Sequence, residues 1–124
     1  MKRVLVVDDN EDTLEMMTEI LSYENFEVQG ARAAGGLFKL IASFKPDLVL
    51  LDYRLPDGHG GELCLQLKMH PELSYIPVII FTAYQQPAED FSIYRPDMVI
   101  HKPFDLNDLI GRVTILLSLK AHSS

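Results

Sequence analysis

Five polar residues stand where apolar runs stop, and their types suggest chemistry. Asp8 and Asp9 follow Val4-Leu5-Val6-Val7, Asp52 follows Leu48-Val49-Leu50-Leu51, Thr82 follows Val78-Ile79-Ile80-Phe81, and Lys102 follows Val99-Ile100-His101. Three carboxylates brought together repel and raise one another's pKa unless a cation sits among them. Oxygen donors without His or Cys suit a hard divalent ion, Mg²⁺ above all, with several waters retained. Three carboxylates, one ammonium and one divalent ion sum to near neutrality, so such a site accepts a dianionic phosphoryl group. One carboxylate could then attack phosphorus to form an acyl phosphate, while the Thr82 hydroxyl hydrogen-bonds a phosphoryl oxygen and Lys102 shields its charge. Taken singly, an acid pair after a strand is more often a helix cap or a turn. The repetition of the pattern at four strand ends is what favours a common site.

That site requires the strands to end on one side of one sheet. The apolar runs at 4–7, which is rich in β-branched residues, 48–51 and 78–81 read as strands buried on both faces. Phe26-Glu27-Val28 alternates and predicts an edge strand, and Val99-Ile100 marks a fifth. Between them lie stretches with helical spacing: Leu14, Met17 and Leu21; Leu37, Leu40, Ile41 and Phe44, ended by Pro46; Leu63 and Leu67, bounded by Pro71; and Leu106, Leu109, Ile110, Val113, Leu116 and Leu117, with Asp105 as N-cap. Strands alternating with helices imply a parallel α/β sheet with right-handed crossovers and helices on both faces. In such a sheet, ligands bind outside the carboxyl ends of the strands.

Composition narrows the function. The 124 residues suffice for one domain, and 48% hydrophobic with 23% charged residues suits a globule. A formal net charge of −7 argues against binding to nucleic acid or to an anionic membrane surface. No apolar run approaches a membrane span, and Asp8 and Asp9 cut short the apolar stretch that a secretory leader would need. The single Cys64 allows no internal disulfide and fits a reducing cytoplasm.

The sequence resembles the receiver domains of two-component response regulators from about Lys2 to Leu119. The matching pieces are V-L-V-V-D-D-N at 4–10, P-D-L-V-L-L-D at 46–52, L-P-D-G-H-G at 55–60, P-V-I-I-F-T-A at 77–83 and K-P-F at 102–104. The resemblance implies a flavodoxin-like, doubly wound (βα)5 fold with strand order 2-1-3-4-5. It implies a phosphoryl group taken onto Asp52 from the phosphohistidine of a histidine kinase or histidine phosphotransfer protein, and a downstream protein target. Mg²⁺ would be bound by Asp9 directly, by Asp8 mostly through water, by Asp52, and by the backbone carbonyl of Arg54. Thr82 would be the switch hydroxyl and Lys102 the phosphoryl partner, preceding a cis peptide bond to Pro103. Residues 1–121 are expected to form the receiver domain and 122–124 a tail. The domain would be a phosphoacceptor, not a turnover enzyme, and a cytoplasmic monomer or weak homodimer.

Two departures concern the output face. The family usually carries Tyr or Phe three residues before the Lys, and Val99 stands there. Between Thr82 and Lys102 the chain is short and bracketed by Pro87 and Pro96, so the helix between the fourth and fifth strands should be about two turns or irregular. The domain is therefore expected to accept phosphate but signal differently from relatives with the aromatic relay. Arg54 and Tyr84 should border the phosphoryl group. The main alternative is a phosphorylation-independent interaction module on the same fold. An aspartyl-nucleophile phosphatase of the haloacid dehalogenase type would want Asp where Arg54 stands. A flavodoxin-like electron carrier would not place acids at 8–12, where they repel a flavin phosphate. The plainer expectations are His59 as a solvated loop residue, Cys64 as partly buried filler, Met16 and Met17 as core or rim, and Gly35-Gly36 as a weak start to the second helix. His70, His101 and His122 lack metal-ligand spacing.

Overall fold

The computed structural model describes residues 1–83 and 90–122. Five strands form one parallel sheet: β1 (Arg3–Val7), β2 (Glu27–Ala31), β3 (Leu48–Asp52), β4 (Val78–Thr82) and β5 (Met98–His101), in the order β2-β1-β3-β4-β5. This is the order 2-1-3-4-5 that the resemblance implied. Helices α1 (Glu11–Tyr23), α2 (Leu37–Phe44), α3 (Gly60–Met69) and α4 (Leu106–His122) alternate with the strands. No described helix is long and apolar enough to cross a membrane.

The period of two along each central strand divides the core. Val4 and Val6, Leu48 and Leu50, and Ile79 and Phe81 point to one face, where Met17 and Leu21 of α1 and Leu109 and Val113 of α4 cover them. Leu5 and Val7, Val49 and Leu51, and Val78 and Ile80 point to the other face, beneath Leu37 and Ile41 of α2 and Cys64 and Leu67 of α3. Continuous apolar runs are required because water reaches neither face. On the partly exposed edge, β2 alternates as expected but runs on through Ala31, because its pairing with β1 extends from Arg3↔Glu27 to Val7↔Ala31.

The helix termini correct three expectations. Helix α3 takes in Gly60 and Gly61, which read as loop by composition, and the His59 ring caps it by accepting from the Glu62 N–H at 3.2 Å. Gly36 lies outside α2, at its N-cap with φ +78°, so the glycine pair forms the turn into the helix rather than weakening its body. In α4, Leu109, Val113, Leu116 and Leu117 are buried while Leu106 is 36% exposed, so the apolar stripe continues past the core at its start. Asp105 caps that helix as expected, accepting from Asn107 and Asp108 N–H at 2.8 and 3.1 Å. Of the short or irregular helix expected between Pro87 and Pro96, only the part up to residue 89 lies outside the described residues. Its described remainder, Phe91–Tyr94, is a single 3₁₀ turn.

A paired charge closes the sheet at the end opposite the polar strand ends. Lys68 of α3 bonds to Asp97 and donates to the Ile76 carbonyl at 2.8 Å, while Asp97 also accepts from Val78 N–H at 2.7 Å. The Lys68 side chain is only 10% exposed. Asp97→Ala should therefore leave an ammonium and an amide poorly solvated and cost ~2–4 kcal/mol. Urea unfolding checks this, and a loss under about 1 kcal/mol would show that water replaces the carboxylate.

Candidate functional site

Parallel strands bring Asp8, Asp9, Asp52, Thr82 and Lys102 to one edge of the sheet. Asp9, Asp52, Arg54, Thr82, Ala83 and Lys102 line a cavity of about 370 Å³. Asp8 lies just beneath, fully buried. Its Oδ1 accepts from Asn10 N–H at 2.9 Å and its Oδ2 lies 3.3 Å from Lys102 Nζ. Register fixes the rest: Val7 pairs with Leu51, Asp52 with Phe81 and Thr82 with His101, so the polar residues that follow or end these strands share one level.

The electrostatics fit the residue types. Lys102 Nζ also lies 3.7 Å from Asp52 Oδ2 and over the Phe81 ring at 4.8 Å. Asp52 is pushed up to about 6, chiefly by burial and secondarily by Asp8, against the lowering influence of Lys102. One ammonium thus does not neutralise this group of acids. Asp8, Asp9 and Asp52 each present a carboxylate oxygen within 4.8 Å of the others. Hard oxygen donors at that spacing, carrying excess negative charge, fit a divalent cation such as Mg²⁺ and offer nothing to a softer metal. Thr82 is 2% exposed at the cavity wall. Its carbonyl accepts from Lys102 N–H at 2.7 Å, joining β4 to the Lys102–Pro103 turn, whose peptide is cis.

Asp8, Asp9, Asp52, Thr82 and Lys102 are thus gathered here, and Arg54 borders the cavity as expected. Tyr84 lies outside the described residues. Val99 is half-buried on β5. One bland expectation fails and another holds with a correction of degree. His59 is no solvated loop residue: besides capping α3, its ring meets that of Tyr53 edge-on at 4.6 Å. Cys64 is fully rather than partly buried, and burial pushes its thiol up to about 12, leaving it an inert apolar filler. Met17 is core and Met16 rim, at 37% exposure.

Sequence reasoning missed the ring cluster beneath the loop after β3. Tyr53, buried beside Asp52, meets Phe91 edge-on at 4.9 Å, and Phe91 meets His101 at 6.1 Å. An aromatic residue directly after the strand-end acid was the available signal. Also missed was Asp57, which joins two loops by hydrogen bonds to Ala34 and Gly35.

The profile of the response regulator receiver domain family matches residues 4–114, and the chain belongs to that family. It is a receiver domain of two-component signal transduction. Among sequence relatives, response regulator MprA of Mycolicibacterium vanbaalenii is 33% identical over 117 residues, covering 93% of this chain and 50% of that one. The chain thus spans about half the length of that relative. Among solved structures, a CheY-like receiver domain protein from Methanospirillum hungatei JF-1 superimposes with a TM-score of 0.90 at 31% identity, covering 100% of this chain and 99% of that one. The response regulator TrrA of Thermotoga maritima, solved in complex with Mg²⁺ and beryllofluoride, gives a TM-score of 0.82 at 30% identity over 94% of this chain and 99% of that one.

Proposed function

We propose that this domain accepts a phosphoryl group onto Asp52 from the phosphohistidine of a histidine kinase or phosphotransfer protein, in a Mg²⁺-dependent reaction. The observation that carries the reading is the convergence of three carboxylates, one ammonium and one hydroxyl around a single small cavity. Asp9, Asp52 and the Arg54 carbonyl would hold the metal, with Asp8 contributing mostly through water. When bound, the ion would offset negative charge on the phosphoryl oxygens. An Asp52 carboxylate oxygen forms the new bond to phosphorus as the phosphorus–nitrogen bond breaks, and the electron pair stays with the departing imidazole. Lys102, already between Asp8 and Asp52, pairs with the transferred group. Thr82 donates its hydroxyl to a phosphoryl oxygen. The products are an acyl phosphate and a neutral histidine, so the domain is consumed stoichiometrically and reset by hydrolysis.

Residues 1–121 form the phosphoacceptor unit in this reading, acting in the cytoplasm as a monomer or weak dimer on a protein target. Val99 supports an output route other than an aromatic ring on β5, since its side chain is too small to fill or vacate a ring-sized pocket. Titration with beryllofluoride in the presence of Mg²⁺, followed by amide NMR, tests the site. Saturable shifts at residues 52–54, 82–83 and 102 are expected in wild type and absent from Asp52→Asn. Equal saturation of that variant would refute the assignment.

A further inference from the structure

The Arg54 carbonyl, if it serves as a ligand, rides on a small structure that has little stability of its own. Arg54–Leu55 and Gly58–His59 pair as a ribbon of two residues a side, Arg54↔His59 and Leu55↔Gly58. A ribbon this short does not hold its shape unaided. One end is anchored where Gly60 N–H donates to the Tyr53 carbonyl at 2.8 Å. At the other end Asp57 sits in the turn, and its two carboxylate oxygens accept from Ala34 and Gly35 N–H at 2.7 and 2.9 Å.

The donors belong to the loop that leads from β2 into α2, and that loop begins at the other wall of the site. Asp8 N–H donates to the Ala31 carbonyl at 3.0 Å, three residues before Ala34. A path therefore runs by hydrogen bond from Asp8 to Ala31, along three residues of backbone to Ala34, by hydrogen bond to Asp57, and along the ribbon to Arg54. A second, independent feature holds the same two loops together. A Cβ on Gly58 would come within 2.8 Å of Ala34 Cβ, so only glycine lets the ribbon lie this close. The two N–H donors hold the Asp57 carboxyl below its ordinary range, which keeps it ionised and the bonds charge-assisted.

We infer that Asp57 is a positioning residue for the metal site: it fixes the Arg54 carbonyl relative to Asp8 by latching the ribbon onto the β2–α2 loop. The inference rests on the proposed Mg²⁺-dependent function. Without the latch the ribbon samples positions in which the carbonyl is displaced, and binding must then select the competent fraction. Affinity falls, while the bound site is unchanged. Such an effect is distinct from a general loss of stability, because Asp57 is exposed and contributes nothing to either core layer.

The test is Mg²⁺ titration of wild type, Asp57→Ala, Asp57→Asn and Gly58→Ala, by calorimetry and by amide NMR. Asp57→Ala should raise the Mg²⁺ Kd by about 10-fold, and Gly58→Ala, which pries the loops apart at Ala34, should act in the same direction. Asp57→Asn, keeping one acceptor oxygen, should fall between. In wild type the Ala34 and Gly35 amides should shift on Mg²⁺ binding together with Arg54, and this joint response should vanish in Asp57→Ala. At saturating Mg²⁺ the rate of labelling by acetyl phosphate should match wild type. A wild-type Kd retained by Asp57→Ala, or a loss of labelling that excess Mg²⁺ does not restore, would overturn the positioning role alone. Failure of wild type to bind Mg²⁺ at all would overturn the proposed function and this inference with it.

Discussion

Gly60→Ala is expected to cost about 3 kcal/mol or more of folding stability, although alanine is the better helix former by about 1 kcal/mol. The reason is where α3 begins. Its first residue lies against the end of β3: a Cβ on Gly60 would overlap the Asp52 carbonyl oxygen and stand 2.9 Å from both the Asp52 carbonyl carbon and Tyr53 Cα. These are backbone atoms of a central strand, flanked by β1 and β4, and cannot give way as a flexible side chain could. Either α3 withdraws, breaking the Gly60 N–H bond to Tyr53, or β3 bends and displaces Asp52. Gly111, in the body of α4 with nothing within 4 Å of an added Cβ, is the control. There the same substitution should stabilise by about 0.5–1 kcal/mol. Urea unfolding of both variants separates steric from intrinsic effects. A Gly60→Ala protein as stable as wild type would show that α3 is free to move away from β3.

Asp52→Asn is expected to stabilise the metal-free protein near neutral pH by about 2–3 kcal/mol, even though it removes the proposed nucleophile. Burial and Asp8 raise the Asp52 carboxyl from 3.8 to about 6 in the folded state. Between these values the folded chain holds a proton that the unfolded chain has released, so stability falls as pH rises through the window. The cost is absent well below 3.8 and complete above about 6. The variant should therefore match wild type near pH ~3.5 and exceed it at pH ~7.5 in chelator. Added Mg²⁺ should reverse the ranking, because it stabilises the form that binds it more tightly. Denaturant unfolding at the two pH values, with and without Mg²⁺, reads all four conditions. An Asp52→Asn protein less stable than wild type at pH ~7.5 without metal would mean that Lys102 outweighs burial.

Both expectations depend on features that were unevenly visible in the sequence. The sheet was legible because β1, β3 and β4 are buried on both faces, and such strands must be apolar throughout. A polar residue ending such a run is informative because water or a ligand must meet it there, which made Asp8, Asp9, Asp52, Thr82 and Lys102 stand out. Strand order was not readable from periodicity and came from the family resemblance. The details that failed were those decided by contacts between loops. His59 could not be recognised as a cap, because imidazole capping depends on ring orientation, and Ser, Thr, Asp and Asn are the usual cap residues. Asp57 looked like one more turn residue in a Pro-Asp-Gly stretch. Its partners lie 22 and 23 positions away in sequence, and nothing local announces them. Cys64 was underestimated because the stripe on α3 is weak, and only the sheet above it shows how fully it is covered.

The proposed role of Asp52 as phosphoacceptor rests on this cluster of acids. Intact mass after incubation with acetyl phosphate and Mg²⁺, for wild type and for Asp52→Ala, tests it most directly, with a chelated sample as control and beryllofluoride occupancy measured alongside. Wild type should gain one phosphoryl group, and the gain should be lost both in the variant and in chelator. A gain that persists in Asp52→Ala, or a wild type that neither gains mass nor takes up beryllofluoride, would contradict that role.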